Sequence, residues 1–163
     1  MIRYNFIFLL ILITSCHTTR YYIVRHAEKE YTNTMTSDVP LSGTGKERAK
    51  ALADKLKEQH IAAIYSTSFK RTVATVEPLS HITGDPIQFY NTDTLAGFIS
   101  GLRKIHTGNV VIAGHSNTMG DIINRLSGKD YLQGNLPDSA YGDLFIVIKK
   151  GKKYTFRKEH FGQ

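Results

Sequence analysis

The sequence predicts an α/β domain in three layers, with a mostly parallel sheet flanked by helices and a C-terminal antiparallel hairpin. Short apolar runs rich in β-branched and aromatic residues alternate with segments of helical periodicity, which is typical of a parallel sheet covered on both faces. Near the C-terminus, two apolar runs flank a short segment of lysine and glycine, and this arrangement predicts a hairpin.

Four strands are predicted before the hairpin, of which the first is expected to be buried. Their apolar cores are residues 21–24, 62–65, 87–90 and 109–113, and the hairpin strands are residues 144–148 and 154–157. The segment from Lys149 to Lys153 between the hairpin strands is interpreted as a solvated turn, with contact to anionic lipid or another polyanion as the alternative.

Four helices are predicted between these strands. The first begins at a capping box formed by Thr44 and Glu47. The second covers residues 71–77 and is expected to stop at Pro78. The third covers residues 95–105, and the fourth has apolar residues at helical spacing from Met119 to Leu126.

The length and composition indicate one folded domain. The chain has 163 residues, of which 41% are hydrophobic, too many for a disordered chain. The formal net charge of +7 indicates an anionic partner but does not choose among phosphate esters, nucleic acid and a membrane surface.

The N-terminal segment predicts export. Arg3 precedes an apolar run at residues 6–13 that is too short to cross a bilayer but suits a signal peptide. We therefore expect a signal peptide at residues 1–15 and a mature domain at residues 17–163. Because residues 13–16 resemble a bacterial lipobox, lipidation of Cys16, the only cysteine, is expected to hold the protein at a membrane, on the periplasmic side or the cell surface. An ordinary cleaved signal is the alternative.

Three predicted strands lead into polar or charged residues. In parallel sheets, ligands bind at the carboxyl ends of strands, where Arg25, His26 and His115 are expected, with Arg71 on the helix after Ser66. The two arginines offer forked donors that match phosphate oxygens. A neutral His26 is able to attack phosphorus if a backbone carbonyl at this turn holds its other ring nitrogen.

Four segments, in order along the chain, resemble the histidine phosphatase superfamily, the phosphoglycerate mutase-like proteins. Residues 22–28 resemble the motif that opens these proteins, and residues 38–45 resemble their second block. Residues 66–72 resemble the strand end followed by an arginine, and residues 111–116 resemble the second-histidine block.

The resemblance implies a phosphatase that acts on phosphate monoesters or phosphoramidates through a phosphohistidine. It implies that His26 is the nucleophile, that Arg25, Arg71 and His115 bind phosphate, and that neither a metal nor an organic cofactor is needed. The expected substrate is a phosphorylated small molecule or a phosphoprotein, and no nucleic-acid partner is expected.

The chain departs from the family pattern at its proton donor. The glutamate usual after the third strand is absent, so Asp93 is the expected donor, with Glu28 and Asp121 as competitors. Ser116 stands where the acid-phosphatase branch has an aspartate, and we expect it to contact substrate. Asn33 lies beside the position of a family asparagine and is a further candidate for the pocket.

Three alternatives stay open. A metal-dependent hydrolase would use His26, Glu28 and His115 as ligands, although these lack the close spacing of helical metal motifs. A lipoprotein with a degenerate site would bind phosphate or another anion without turnover. A phosphoglycerate mutase-like enzyme would transfer the phosphoryl group, but the chain lacks the long insertions that would close its pocket.

Overall fold

A computed structural model describes residues 17–31, 37–105 and 107–162. Within these ranges, six strands form one sheet and four α-helices flank it. In chain order the elements are β1 (Thr18–Arg25), α1 (Gly43–Leu56), β2 (Ile61–Ser66), α2 (Lys70–Thr83), β3 (Ile87–Phe89), α3 (Leu95–Arg103), β4 (Asn109–Gly114), α4 (Met119–Ser127), β5 (Asp143–Lys150) and β6 (Lys153–His160). None of the helices in these ranges is long and apolar enough to cross a membrane.

The sheet is mostly parallel, as predicted. Its strand order is β3-β2-β4-β1-β5-β6, in which the first four strands are parallel to one another. β5 pairs antiparallel with β1, and β6 pairs antiparallel with β5 as the second strand of the predicted hairpin. The carboxyl ends of β1, β2 and β4 therefore lie side by side.

The core lies on both faces of the sheet, because alternate residues of each strand point to opposite faces. In β1, Tyr21 and Ile23 pack with α3 and α4, whereas Tyr22 and Val24 pack with α1 and α2. The buried apolar residues of both faces lie between Tyr21 and Phe161. The domain from residue 17 onward therefore has a complete two-sided core.

Two helix predictions are wrong in detail. The Oγ of Ser42, not a Thr44 capping box, accepts the Gly45 N–H at 3.1 Å, and Glu47 instead pairs with Lys50. Helix α2 passes through Pro78 and ends at Thr83, before Gly84 with φ 77°. Pro78 has no backbone N–H and so removes one hydrogen bond of the helix. The buried Val76 and Leu79 pack α2 against the sheet on either side of Pro78, and this packing keeps the helix continuous.

The segment from Lys149 to Lys153 is only partly solvated. Lys149 is buried, and its Nζ donates to the carbonyl oxygens of Arg103 at 2.6 Å and Ile105 at 3.3 Å. These carbonyls end α3, where a cation complements both the unpaired backbone oxygens and the helix dipole. Lys150, Lys152 and Lys153 are exposed, as predicted.

Candidate active site

A cleft opens where the carboxyl ends of β1, β2 and β4 meet. Arg25 pairs with Gly114 and Ser66 pairs with Ala113 in the sheet register, so the residues after each strand are neighbours. The cleft has a volume of about 420 Å³. It brings together five of the predicted site residues with five others: Arg25, His26, Arg71, His115 and Ser116, and also Lys29, Phe69, Thr92, Asn117 and Thr118.

His26 is held rigidly at the end of β1. Its backbone N–H donates to the Gly114 carbonyl at 2.8 Å, and its ring Nδ1 lies 2.8 Å from the Ala27 carbonyl oxygen. Because a carbonyl only accepts, Nδ1 carries the proton and Nε2 keeps its lone pair. The backbone carbonyl expected at this turn is thus provided by Ala27.

Burial also keeps the His26 ring neutral. Desolvation is the largest cause that lowers its pKa, to about 4, and the charges of Arg71 and Arg25 act in the same direction. The hydrogen bond to Ala27 opposes this shift but is outweighed. At neutral pH the ring is therefore uncharged, as a nucleophilic histidine must be.

The side chain of Arg25 is clamped by residues of the segment that precedes β5. Its Nη1 donates to the Pro137 carbonyl at 3.0 Å, and its Nη2 donates to Asp138 Oδ1 at 2.8 Å and to the Tyr141 hydroxyl at 3.2 Å. The guanidinium carbon lies 4.2 Å from the centre of the Tyr141 ring. Its Nε is buried and bonds to none of the described residues.

This clamp was missed from the sequence. Asp138 and Tyr141 belong to a short 3₁₀ turn, Asp138–Gly142, that is separated from β1 by more than a hundred residues. The preceding Pro137 indicates a turn, but nothing in its neighbourhood indicates contact with Arg25. Antiparallel pairing of β5 with β1 brings the turn to this end of the sheet.

Arg71 approaches the cleft from the first turn of α2. Its Nη1 donates to the Ser37 carbonyl at 2.8 Å, and its Nη2 lies 3.4 Å from His115 Nδ1. The guanidinium carbon stacks 4.6 Å from the centre of the Phe69 ring. The two arginines thus bring two fixed positive charges to the cleft.

His115 is oriented by a chain of buried hydroxyl groups. Its Nε2 lies 3.0 Å from Thr67 Oγ1, which lies 2.8 Å from Thr72 Oγ1, and Thr72 donates to the Phe69 carbonyl at 2.8 Å. Desolvation, followed by the charges of Arg71 and Arg25, lowers the pKa of His115 to about 4. The His26 and His115 rings lie 5.5 Å apart, centre to centre.

The candidate proton donors lie outside the cleft lining. Glu28 accepts from Arg48 Nε at 2.8 Å and from Arg48 Nη2 at 2.6 Å. Burial favours protonation of Glu28, but the hydrogen bonds and charge of Arg48 outweigh it and hold the pKa below its usual value. Asp93 is exposed beside Thr92, which does line the cleft. Asp121 is exposed and lies 3.6 Å from Arg125.

Two predicted residues, Asn33 and Cys16, lie outside the described residues, as does the predicted signal peptide at residues 1–15. In the described ranges, no three histidine, cysteine, aspartate or glutamate side chains are grouped so that they could hold a metal ion. The trio of His26, Glu28 and His115 is not assembled, because the Glu28 carboxylate faces Arg48.

A second depression adjoins the cleft and shares Phe69, Thr92 and His115 with it. It has a volume of about 400 Å³, and its remaining lining residues are Thr67, Ser68, Phe89, Tyr90 and Asn91. Phe89, at the edge of the sheet, is 65% exposed. The cleft that contains Arg25, Arg71 and the two histidines therefore opens sideways onto an aromatic surface.

Residues 21–96 match the family model of the histidine phosphatase superfamily (branch 1). The predicted resemblance is confirmed. The match covers the segment with His26 and the strand end that leads to Arg71, and it stops before the His115 segment, which the fold brings into the same cleft. No curated protein sequence matches the chain.

Solved structures of phosphatases share the fold. The protein histidine phosphatase SixA, in complex with tungstate, has a TM-score of 0.67 at 17% identity, over 86% of this chain and 96% of its own. A protein assigned as the phosphohistidine phosphatase SixA of Agrobacterium tumefaciens has a TM-score of 0.61 at 19% identity, over 88% and 97%. A phosphoserine phosphatase from Entamoeba histolytica has a TM-score of 0.62 at 13% identity, over 89% and 97%. At these identities the likeness is one of fold.

Proposed function

We propose that the protein is a phosphatase that hydrolyses phosphate monoesters or phosphoramidates through a phosphohistidine on His26. The observation that carries the proposal is the hydrogen bond between His26 Nδ1 and the Ala27 carbonyl. It leaves Nε2 with a free lone pair in a cleft lined by two arginines and a second histidine.

The reaction has two steps. In the first, the Nε2 lone pair forms a bond to phosphorus while the bond to the leaving oxygen or nitrogen breaks, and Arg25 and Arg71 neutralise charge on the phosphoryl oxygens. In the second, water attacks the phosphohistidine, which releases inorganic phosphate and restores neutral His26. His115 borders the phosphoryl group in both steps, and none of these steps uses a metal.

How much the reaction needs a proton donor depends on the leaving group. Asp93 remains our proposed proton donor, because its neighbour Thr92 lines the cleft. If it donates, Asp93→Asn slows hydrolysis of an alkyl phosphate, a poor leaving group, much more than that of an activated aryl phosphate. Equal slowing of both would show that Asp93 is not the donor. Asp130→Asn, which changes an exposed aspartate that is not a candidate donor, is the matched control.

The substrate class follows from the open cleft and its aromatic side. The structural neighbours include a protein histidine phosphatase and a phosphoserine phosphatase, which act on a protein and on a small molecule. The depression lined by Phe69 and Phe89 suits a planar or apolar leaving group. This favours a phosphoprotein or a phosphorylated small molecule with a good leaving group.

The decisive experiment is to trap the phosphoenzyme on purified residues 17–163. Wild type is expected to form an acid-labile phosphoryl adduct with a ³²P-labelled acyl phosphate, and His26→Ala is expected to form none. His81→Ala, on the exposed side of α2, is the control and should label normally. Equal labelling of wild type and His26→Ala would refute the proposal.

A non-catalytic anion-binding protein is the second candidate, because no carboxylate is among the residues that line the described cleft. It predicts phosphate binding without turnover of any activated aryl phosphate across a broad pH range.

The mutase alternative predicts that the labelled phosphoryl group is transferred to a second sugar or glycerate phosphate and is not released as inorganic phosphate. The metal-dependent alternative predicts loss of activity in a strong chelator, whereas our mechanism predicts that activity survives.

We also propose that the protein is an exported bacterial lipoprotein, lipidated on Cys16. This rests on the sequence before residue 17 alone. Labelled palmitate is expected to be incorporated into the wild-type protein in bacteria and not into Cys16→Ser. Incorporation into both would exclude lipidation at this residue.

A further inference from the structure

The predicted anchor and the lysine-rich hairpin turn lie at the same end of the sheet. Thr18, the first residue of β1, pairs with Lys150, the last residue of β5. Cys16 precedes Thr18 by two residues, which span about 7 Å at most in any conformation. A lipid on Cys16 would therefore enter a bilayer beside this turn.

Four exposed lysines surround the start of β1. Lys150, Lys152 and Lys153 form the β5–β6 turn around Gly151, which has a φ of 60°. Lys104 lies close to this turn, because the Nζ of Lys149 donates to the carbonyls of Arg103 and Ile105, the two residues that flank Lys104. None of the four exposed lysines forms an ion pair with another residue of the described ranges.

We propose that these four lysines, the hairpin face, form a docking surface for an anionic phospholipid bilayer. A positive face suits a membrane surface only if the chain can reach one, and lipidation of Cys16, two residues before Thr18, would bring it there. A basic patch beside a lipid anchor adds attraction to an anionic bilayer and selects the face of the protein that meets it. The proposal extends the anchoring proposal and is independent of the phosphatase chemistry.

Docking at this face orients the active site. β1 runs from Thr18, at the hairpin face, to Arg25, at the cleft, a distance of roughly 23 Å for eight extended residues. The cleft then opens away from the bilayer. This orientation gives access to water-soluble phosphorylated substrates rather than to phosphorylated lipid headgroups.

The test measures binding of residues 17–163, which lack the anchor, to vesicles. The core is complete in this segment, so its binding reports the protein surface alone. Co-sedimentation is measured with phosphatidylcholine vesicles, with and without about one-third phosphatidylglycerol. The variants are Lys150→Gln/Lys152→Gln/Lys153→Gln and a control of equal charge, Lys46→Gln/Lys50→Gln/Lys158→Gln.

Wild type is expected to bind only the anionic vesicles, with binding that weakens as salt is added. The hairpin variant should lose roughly fivefold in partition coefficient for each lysine removed, whereas the control should lose much less. Equal losses in the two variants would overturn the proposal, and so would absence of wild-type binding. Binding to heparin or DNA that depends on the hairpin lysines, without vesicle binding, would assign the face to a different polyanion.

Discussion

The neutral state of His26 and His115 is the central chemical fact at the scale of single residues. Both rings are desolvated beside two guanidinium groups, and each pKa is lowered to about 4. A histidine in water loses its nucleophilic lone pair below about pH 6.5. Here the lone pair on Nε2 persists to far more acid solution.

The lowered pKa predicts the acid limb of the activity profile. As pH falls, kcat/KM for an activated aryl phosphate should stay nearly constant through pH 6.5 and decline only as the pH approaches about 4. An aryl phosphate whose own ionisation is known allows the substrate's contribution to be subtracted. A decline centred near pH 6.5 would show that His26 is not desolvated as described.

Tyr141 is predicted to position Arg25. Tyr141→Phe removes the 3.2 Å hydrogen bond to Arg25 but keeps the ring beside the guanidinium, so we expect KM to rise about fivefold with little change in kcat. Tyr141→Leu removes both contacts and should raise KM further. Tyr131→Phe, whose ring stacks on Phe156 away from the cleft, serves as the control. An unchanged KM in Tyr141→Leu would contradict this role.

At the scale of elements, the start of α1 is packed against the loop that follows His26. The Ser42 N–H donates to the Glu28 carbonyl at 2.9 Å, and Gly45 lies so close that a side chain there would overlap this carbonyl oxygen. Arg48, one turn later, holds the Glu28 carboxylate. Helix α1 thus fixes the loop that follows His26.

This packing predicts opposite outcomes for two nearby glycines. Gly45→Ala should destabilise the domain by about 1–3 kcal/mol, because the obstacle is backbone that cannot rotate away. Gly43→Ala has no atom within 4 Å of the new Cβ and should be neutral or slightly stabilising. Thermal or urea unfolding of both variants measures the difference. Equal stability of the two would show that α1 does not contact the Glu28 backbone as described.

For the whole molecule, the two desolvated histidines of the cleft couple stability to pH. In the unfolded chain each histidine takes up a proton near pH 6.5, whereas in the folded protein each does so only near pH 4. As pH falls between these values, the unfolded state therefore binds more protons, and the free energy of unfolding decreases. Above pH 6.5 and below pH 4 the histidines add no further slope.

Urea unfolding at several pH values checks this coupling. The decrease in unfolding free energy between pH 6.5 and pH 4 should be smaller in His26→Gln/His115→Gln than in wild type. His60→Gln/His81→Gln, which changes two histidines outside the cleft, is the control and should retain the wild-type slope. Identical slopes in wild type and the cleft variant would exclude desolvated histidines as the source.

The sequence alone determined the layered fold and which residues meet at the carboxyl ends of the strands, because both depend on local patterns. Alternating apolar runs and helical spacing encode strands and helices, and the carboxyl ends of parallel strands share one edge of the sheet. The sequence alone therefore places His26, His115 and Arg71 in one cleft. The turn after β1 was also expected to supply a carbonyl, which Ala27 provides.

Only the tertiary structure decided which distant groups complete the cleft. The contacts of Tyr141 and Asp138 with Arg25 arise from the pairing of β5 with β1, and no local pattern encodes that approach. Packing against the sheet keeps α2 helical through Pro78, although proline disfavours the interior of a helix. Arg48, twenty residues along the chain, pairs with the Glu28 carboxylate and holds it outside the cleft. These features depend on long-range contacts, whose partners are selected by the whole fold and not by neighbouring sequence.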